Sequence, residues 1–293
     1  MKNILKIISV SLALLIFTGC TAQSQSMVKN NELKENKALE LNVKDETGNN
    51  NPASSSFVEL AAKSSKEGND KETEKKPLEG LTICIDAGHG KITKKVPKTE
   101  PLAPGSKIMK AAVASGTTGV ATKITEESLN LTVSLKLKKA LAEKGARIIM
   151  VRDTHVCNMT NVERAKFWNA SGADLTIRIH ANGSESKKAS GVLMMVPGDK
   201  YIKDKDMLEK SAKAGKFIME EVLKSTKSKS GGTVKSTDLT GFNWSEIPVM
   251  LLEMGFMTNP QEDKLLNTAA YQNKIVSGIV TGVERYNSYI KSK

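Results

Sequence analysis

Histidine is scarce in this chain of 293 residues, which carries three, so any imidazole chemistry must sit at a few identifiable positions. No H-E-x-x-H stretch occurs, which excludes the helical zinc motif that draws two imidazoles and a base from one turn. Cysteine is as sparse: after Cys20 only Cys84 and Cys157 remain, too few for a disulfide framework. Cys84 lies among strand-forming residues and reads as a small apolar core side chain. Cys157 follows an expected strand end, and nothing in the sequence brings it near Cys84, so no structural disulfide is expected. Long hydrophobic runs are missing too. The N-terminal run, Ile7 to Phe17, is too short to cross a bilayer comfortably.

What is present begins with that run. It follows Met1-Lys2-Asn3 and ends in Thr18-Gly19-Cys20, the layout of a secretory signal. It resembles a bacterial lipoprotein signal (residues 1–20), in which Cys20 would be lipidated and become the first mature residue. Phe17 departs from the smaller aliphatic usual at its place, and an ordinary signal peptide leading to secretion is the alternative. Either way the protein is expected outside the cell membrane, held to its outer face in the first case.

Residues 21–79 are rich in Asn, Ser, Lys and Glu, with Asn49-Asn50-Asn51 and Ser54-Ser55-Ser56 as low-complexity markers. Such a composition buries too little apolar surface to offset its ordering entropy, so a disordered tether is expected. This segment holds nine Lys against eleven Asp plus Glu, and the whole chain is +12, which places the positive charge in residues 80–293. A basic domain seeks a polyanion: nucleic acid, an acidic membrane surface or an anionic cell wall. Export disfavours nucleic acid.

Residues 80–293 alternate strand and helix, predicting a single α/β domain built on a mixed, largely parallel sheet with helices on both faces. Three strands share one grammar: Ile83-Cys84-Ile85-Asp86-Ala87-Gly88-His89-Gly90, Ala173 to Asn182, and Pro248 to Phe256. Each is an apolar strand that ends in a titratable group. If they are parallel neighbours, His89, His180 and Glu253 converge at the carboxyl edge, where open α/β sheets bind ligands. Between them, Lys91 to Lys123 shows no apolar period and reads as a long functional loop. Thr125 is positioned to cap a helix with apolar Leu129, Val133, Leu137 and Leu141, stopped by Gly145. Further helices are expected near 162–170, 205–223, 262–266 and 270–290, and strands at 146–152 and 191–196. Ser230-Gly231-Gly232 is expected to open another irregular stretch.

Two histidines plus one carboxylate and an open position make a standard catalytic zinc set. His89 and His180 both follow strands and precede a small residue, whereas His155 lies in a Thr-Val context without that pattern. Glu126 and Glu127 are both candidates for the carboxylate. Helix first turns favour acidic residues through the dipole alone, so spacing leaves the two open. Glu253 sits between Leu252 and Met254, where a carboxylate needs a cation, a metal or a reacting proton to justify its burial. Arg178, two residues before His180 on the same strand face, is a candidate ion-pair partner for it or a candidate substrate-binding group.

Together the segments I-D-A-G-H-G, E-x-x-L-N-L opening a helix, A-D-L-x-I-x-I-H-A-N and P-V-M-L-L-E-M-G-F-M-T-N-P resemble the zinc-dependent N-acetylmuramoyl-L-alanine amidases of the cell wall. The resemblance runs from about Leu81 to the C-terminus. It implies zinc ligation by His89, Glu126 and His180, with Glu126 selected over Glu127 by motif position. It also implies Glu253 as the catalytic glutamate, peptidoglycan as substrate and a mixed sheet flanked by helices. Two departures bear on substrate preference and leave the metal set intact: Arg178 stands where a small residue is more usual, and the 91–123 segment is longer than the usual Gly-rich turn. The rivals are a zinc peptidase acting on peptidoglycan and a wall-binding lipoprotein without turnover. No appended wall-binding repeat is visible, which leaves targeting to the anchor and the charge.

Overall fold

The computed structural model describes residues 75–293; the expected leader with Cys20, and nearly all of the expected tether, lie outside them. In chain order the elements are β1 (Thr82–Ala87), β2 (Thr99–Pro101), β3 (Met109–Ala111), α1 (Glu126–Glu143), β4 (Arg147–Met150), α2 (Asn161–Ala170) and β5 (Leu175–Asn182). There follow β6 (Val192–Pro197), α3 (Lys205–Thr226), β7 (Ser230–Ser236), α4 (Thr240–Asn243), β8 (Val249–Phe256), α5 (Pro260–Leu266) and α6 (Ala269–Lys291). The chain is already packed at Leu78, two residues ahead of the expected start. Leu78 is fully buried, and its N–H donates to the Lys144 carbonyl at 3.0 Å.

Among the described residues the main sheet has six strands in the order β4-β1-β5-β8-β6-β7. The first four are mutually parallel, β6 runs antiparallel to β8, and β7 is parallel to β6. This is the expected mixed, largely parallel sheet, and β1, β5 and β8 are indeed neighbours. Burial on both faces explains why these three strands read as continuous apolar runs.

Strand alternation sorts the side chains. Ile83, Ile85, Ile177, Ile179, Met250 and Leu252 point to one face, where α1, α3 and α6 close the main core. Cys84, Asp86, Thr176, Arg178, His180, Leu251 and Glu253 occupy the other. There Trp168 of α2 and Phe242 of α4 are both fully buried. One face of the sheet is therefore pure packing, and the polar row is confined to the second. Cys84 and Cys157 are buried free thiols.

Two segments differ from expectation. Within the stretch expected to be irregular, β2 and β3 form an antiparallel pair. Three-residue strands are too short to leave a periodic trace in the sequence. Tertiary bonds pin this pair: the Trp244 indole donates to the Pro101 carbonyl at 2.9 Å, and the Val162 N–H to Glu100 Oε2 at 3.0 Å. The chain from Ser230 likewise forms a strand, β7. It lies at the sheet edge with six of its seven residues exposed, so no apolar alternation was required to specify it; pairing with β6 decides. At the start of α1, Thr125 occupies the N-cap position without a side-chain cap bond. Its hydroxyl donates instead to Glu127 Oε1 at 3.3 Å.

Candidate active site

His89 enters the site from the turn that follows β1 and holds a left-handed backbone, φ 60°. Such a conformation is costly for a residue with a Cβ and persists only where its surroundings enforce it. Two arginines enforce it by gripping the turn's carbonyls. Arg152 donates to the Ala87 and Gly88 oxygens, both at 2.8 Å, and Arg164 donates to the His89 oxygen. The His89 ring then gives its Nδ1 proton to the Ala114 carbonyl at 2.8 Å. That fixes the tautomer and leaves Nε2 as the electron-pair nitrogen.

Glu126, in the first turn of α1, brings Oε1 to 3.0 Å from His89 Nε2 and 3.1 Å from His180 Nδ1. Its carboxylate is held from three sides. The Asn130 amide and the Ala181 N–H donate to Oε1 at 3.2 Å each, and the Thr117 N–H donates to Oε2 at 3.0 Å. Asn130 also reaches the Gly88 carbonyl at 3.3 Å, tying the helix start to the histidine turn. Burial pushes Glu126 up, but the His180 and His89 rings set against its Oε1 outweigh it and hold the carboxyl well below the usual range. His180 is pushed down to about 4, by burial first. Near neutral pH this is a carboxylate beside a neutral imidazole, the protonation state a metal requires of its ligands.

The residues fit a dication. Among the described residues, His89, Glu126 and His180 form a group whose candidate ligand atoms all lie within 4.8 Å of one another. His180 Nε2 is buried without a hydrogen-bond partner, an expensive state for a polar atom unless something binds there. Two nitrogens and one oxygen suit zinc with an open fourth position.

Of the two acidic residues, Glu126 is the one that faces the histidine pair. Glu127 turns away, with Oε2 3.1 Å from His155 Nδ1 and 4.0 Å from Arg152 Nη1. His155 is thus drawn to Glu127, outside the metal group.

Glu253 lies directly opposite His180 in the β5–β8 register. Its Oε2 is buried and has no partner. Burial, reinforced by the negative charge of Glu126, pushes it up to about 8. A carboxyl that exchanges its proton near neutral pH is suited to general acid–base work.

The expected pairing of Arg178 with Glu253 is not found. Arg178 Nε donates to Asp86 Oδ2 at 2.9 Å, and Asp86 Oδ1 accepts from Arg164 Nη1 at 2.5 Å. The reason is the register: Asp86 stands beside Arg178 on the neighbouring parallel strand, while Glu253 is one row further toward the edge. Asp86 is fully buried; burial raises its pKa, yet the two guanidiniums hold it well below the usual carboxylate range. Sequence reasoning passed over Asp86, Arg152 and Arg164. Only Asp86 carried a signal, as a charge ending an apolar strand. His89, Glu126, Arg178, His180 and Glu253 all line a cleft of about 360 Å3.

Comparison with known proteins agrees with this geometry. The N-acetylmuramoyl-L-alanine amidase family matches residues 83–285. The chain is 30% identical to the Bacillus subtilis protein YqiI over 211 residues, 72% of this chain and 86% of that one. It is 29% identical over 228 residues to the germination-specific N-acetylmuramoyl-L-alanine amidase of the same organism, 72% of this chain and 81% of that one. Its fold is similar to the crystal structure of the amidase Ami1 from Mycobacterium smegmatis, with a TM-score of 0.65 at 22% identity, covering 72% of this chain and 99% of that one. Since one family spans nearly all of the sheet and every residue of the site, the chain belongs to the N-acetylmuramoyl-L-alanine amidases, enzymes that cleave peptidoglycan.

Proposed function

We propose that the protein is a zinc-dependent hydrolase of the amide between the lactyl group of N-acetylmuramic acid and the L-alanine of the stem peptide. His89, Glu126 and His180 would hold the metal, and Glu253 would carry the proton. The observation that bears most of this reading is Glu126 Oε1 set 3.0 and 3.1 Å from two imidazole nitrogens, beside a glutamate whose own oxygen lacks a partner.

Bound there, zinc supplies a Lewis acid that polarises an amide carbonyl and acidifies a water molecule. The chain does the rest. Glu253 receives the proton of the attacking water on its carboxylate and passes it to the departing alanine nitrogen, a role worth roughly 10²–10⁴ in rate. The Ala114 carbonyl keeps His89 in one tautomer. Arg152 and Arg164 keep its ring where the β1 turn delivers it.

The same reading places the enzyme on the outer face of the membrane, tethered through Cys20, with the basic domain drawn to a wall of carboxylates and phosphates. In support stand the Thr18-Gly19-Cys20 signal and the wall location of the family's substrate. Mass spectrometry of digested wall tests the bond: the reading expects stem peptides with newly freed L-alanine amino termini and glycan left whole. Cuts within the stem would point to a peptidase instead. Cys20→Ala tests the anchor, since membrane association unchanged in that variant contradicts it.

A further inference from the structure

Asp86 is one carboxylate serving two guanidiniums, those of Arg164 and Arg178. No other carboxylate lies within ion-pair distance of either among the described residues, since Glu127 is committed to His155 and Arg152. A surplus positive charge is thus buried on the cleft floor, and Arg178 is only 5% exposed. Uncompensated buried charge is destabilising, and its usual justification is a ligand.

The surplus falls to Arg178. Arg152 and Arg164 spend their donors on Asp86 and on the carbonyls of Ala87, Gly88, His89, Thr154 and Glu127. Arg178 spends only Nε, and neither of its Nη groups has a hydrogen-bond partner among the described residues. Two idle, parallel donors on a planar cation form the fork that matches a carboxylate. Lys110, a second cation lining the cleft, is already paired with Asp238 at 2.7 Å.

The fork is also held in place. The Trp168 ring lies beneath Cζ, with 5.6 Å to its centroid. The α4 backbone passes so close that a Cβ on Gly241 would be 2.9 Å from Nη1. Arg178 precedes His180 by two residues on the same strand face, which sets it about 7 Å along the strand. A group bound there is roughly two residues' reach from the amide being cut.

We infer that Arg178 is the carboxylate-binding subsite of this cleft, recognising an anionic group of the stem peptide next to the scissile bond. The inference rests on the amidase reading. In a peptidoglycan stem the carboxylate nearest that bond is the α-carboxyl of the second residue, a D-glutamate that some walls carry as its amide. The subsite therefore selects the free acid over the amide.

Two muramoyl dipeptides, identical but for a carboxylate or a carboxamide at that position, test this with the zinc-loaded full chain. The wild type should favour the acid in kcat/KM by about tenfold or more, chiefly through KM. Arg178→Gln should bring the ratio near unity, and Arg178→Lys should keep part of it. Equal use of both dipeptides by the wild type overturns the inference, and so does an Arg178→Gln loss that is the same for both. A purely structural role would give that uniform loss. Calorimetric titration of the two dipeptides into zinc-loaded Glu253→Gln protein reads the preference without turnover. Should the wild type cleave neither dipeptide, the amidase reading fails, and the calorimetric ratio decides the subsite on its own: a clear preference for the acid supports it and a ratio near unity overturns it.

Discussion

A methyl group placed on Gly88 would fall 2.3 Å from Cε1 of His180. The turn that delivers His89 thus leaves just enough room for the second histidine to lie against its backbone. That room exists because residue 88 has no side chain, and the obstacle would be a ring already seated among buried neighbours. Gly88→Ala is expected to push His180 out of place while the sheet stays intact. Bound zinc should fall well below one per chain with little change in the far-ultraviolet circular dichroism spectrum. Full zinc occupancy in that variant would count against the geometry.

Asp86 offers a different outcome, because it neutralises charge rather than making space. Removing one partner of a buried charge cluster typically costs about 3–5 kcal/mol. Asp86→Ala leaves two guanidiniums facing each other and should lower the melting temperature by roughly 10 °C, at 2–4 °C per kcal/mol for a domain of this size. A melting temperature within a degree or two of the wild type would show that water already compensates those charges.

Glu253→Gln separates catalysis from stability. Turnover should fall by about a hundredfold or more while zinc stays bound. Since Arg178 is tied to Asp86 and not to Glu253, the change strands no charge. Its effect on stability should follow pH. The folded metal-free protein raises Glu253 from 4.5 to about 8, so folding favours the protonated form. That contribution is complete below the unfolded value and is lost as pH rises through the folded one. The variant lacks this loss. Melting temperatures of the two metal-free proteins should therefore move in the variant's favour between pH 4.5 and about 8, and the depressed His180 cancels in the comparison. A constant difference across that range would contradict the burial of Glu253.

How much of this was legible in the sequence depends on distance along the chain. The β1, β5 and β8 strands announced themselves as apolar runs because both their faces are covered, and their charged ends marked His89, His180 and Glu253. Spacing left Glu126 and Glu127 equivalent, because the neighbours that turn Glu127 away, Arg152 and His155, are distant in the sequence. Arg152 and Arg164 left no trace, since a guanidinium that caps a distant turn looks like any surface arginine in a one-dimensional pattern. Arg178 was legible as a buried cation, but its partner was set by strand register, which a single sequence does not reveal. The edge strand β7 was hidden for a related reason: its backbone pairing, and not its side chains, specifies it.

If His89, Glu126 and His180 hold a zinc ion that the reaction requires, metal content and activity rise and fall together. Metal analysis of the purified protein, run beside its rate of wall hydrolysis, tests this most directly. The expected result is one zinc per chain, loss of metal and activity together on chelation with the fold retained, and recovery of both when zinc is returned. Glu126→Gln should fail to recover either. Hydrolysis at the full rate by protein shown to be free of metal would rule out a catalytic role for the ion.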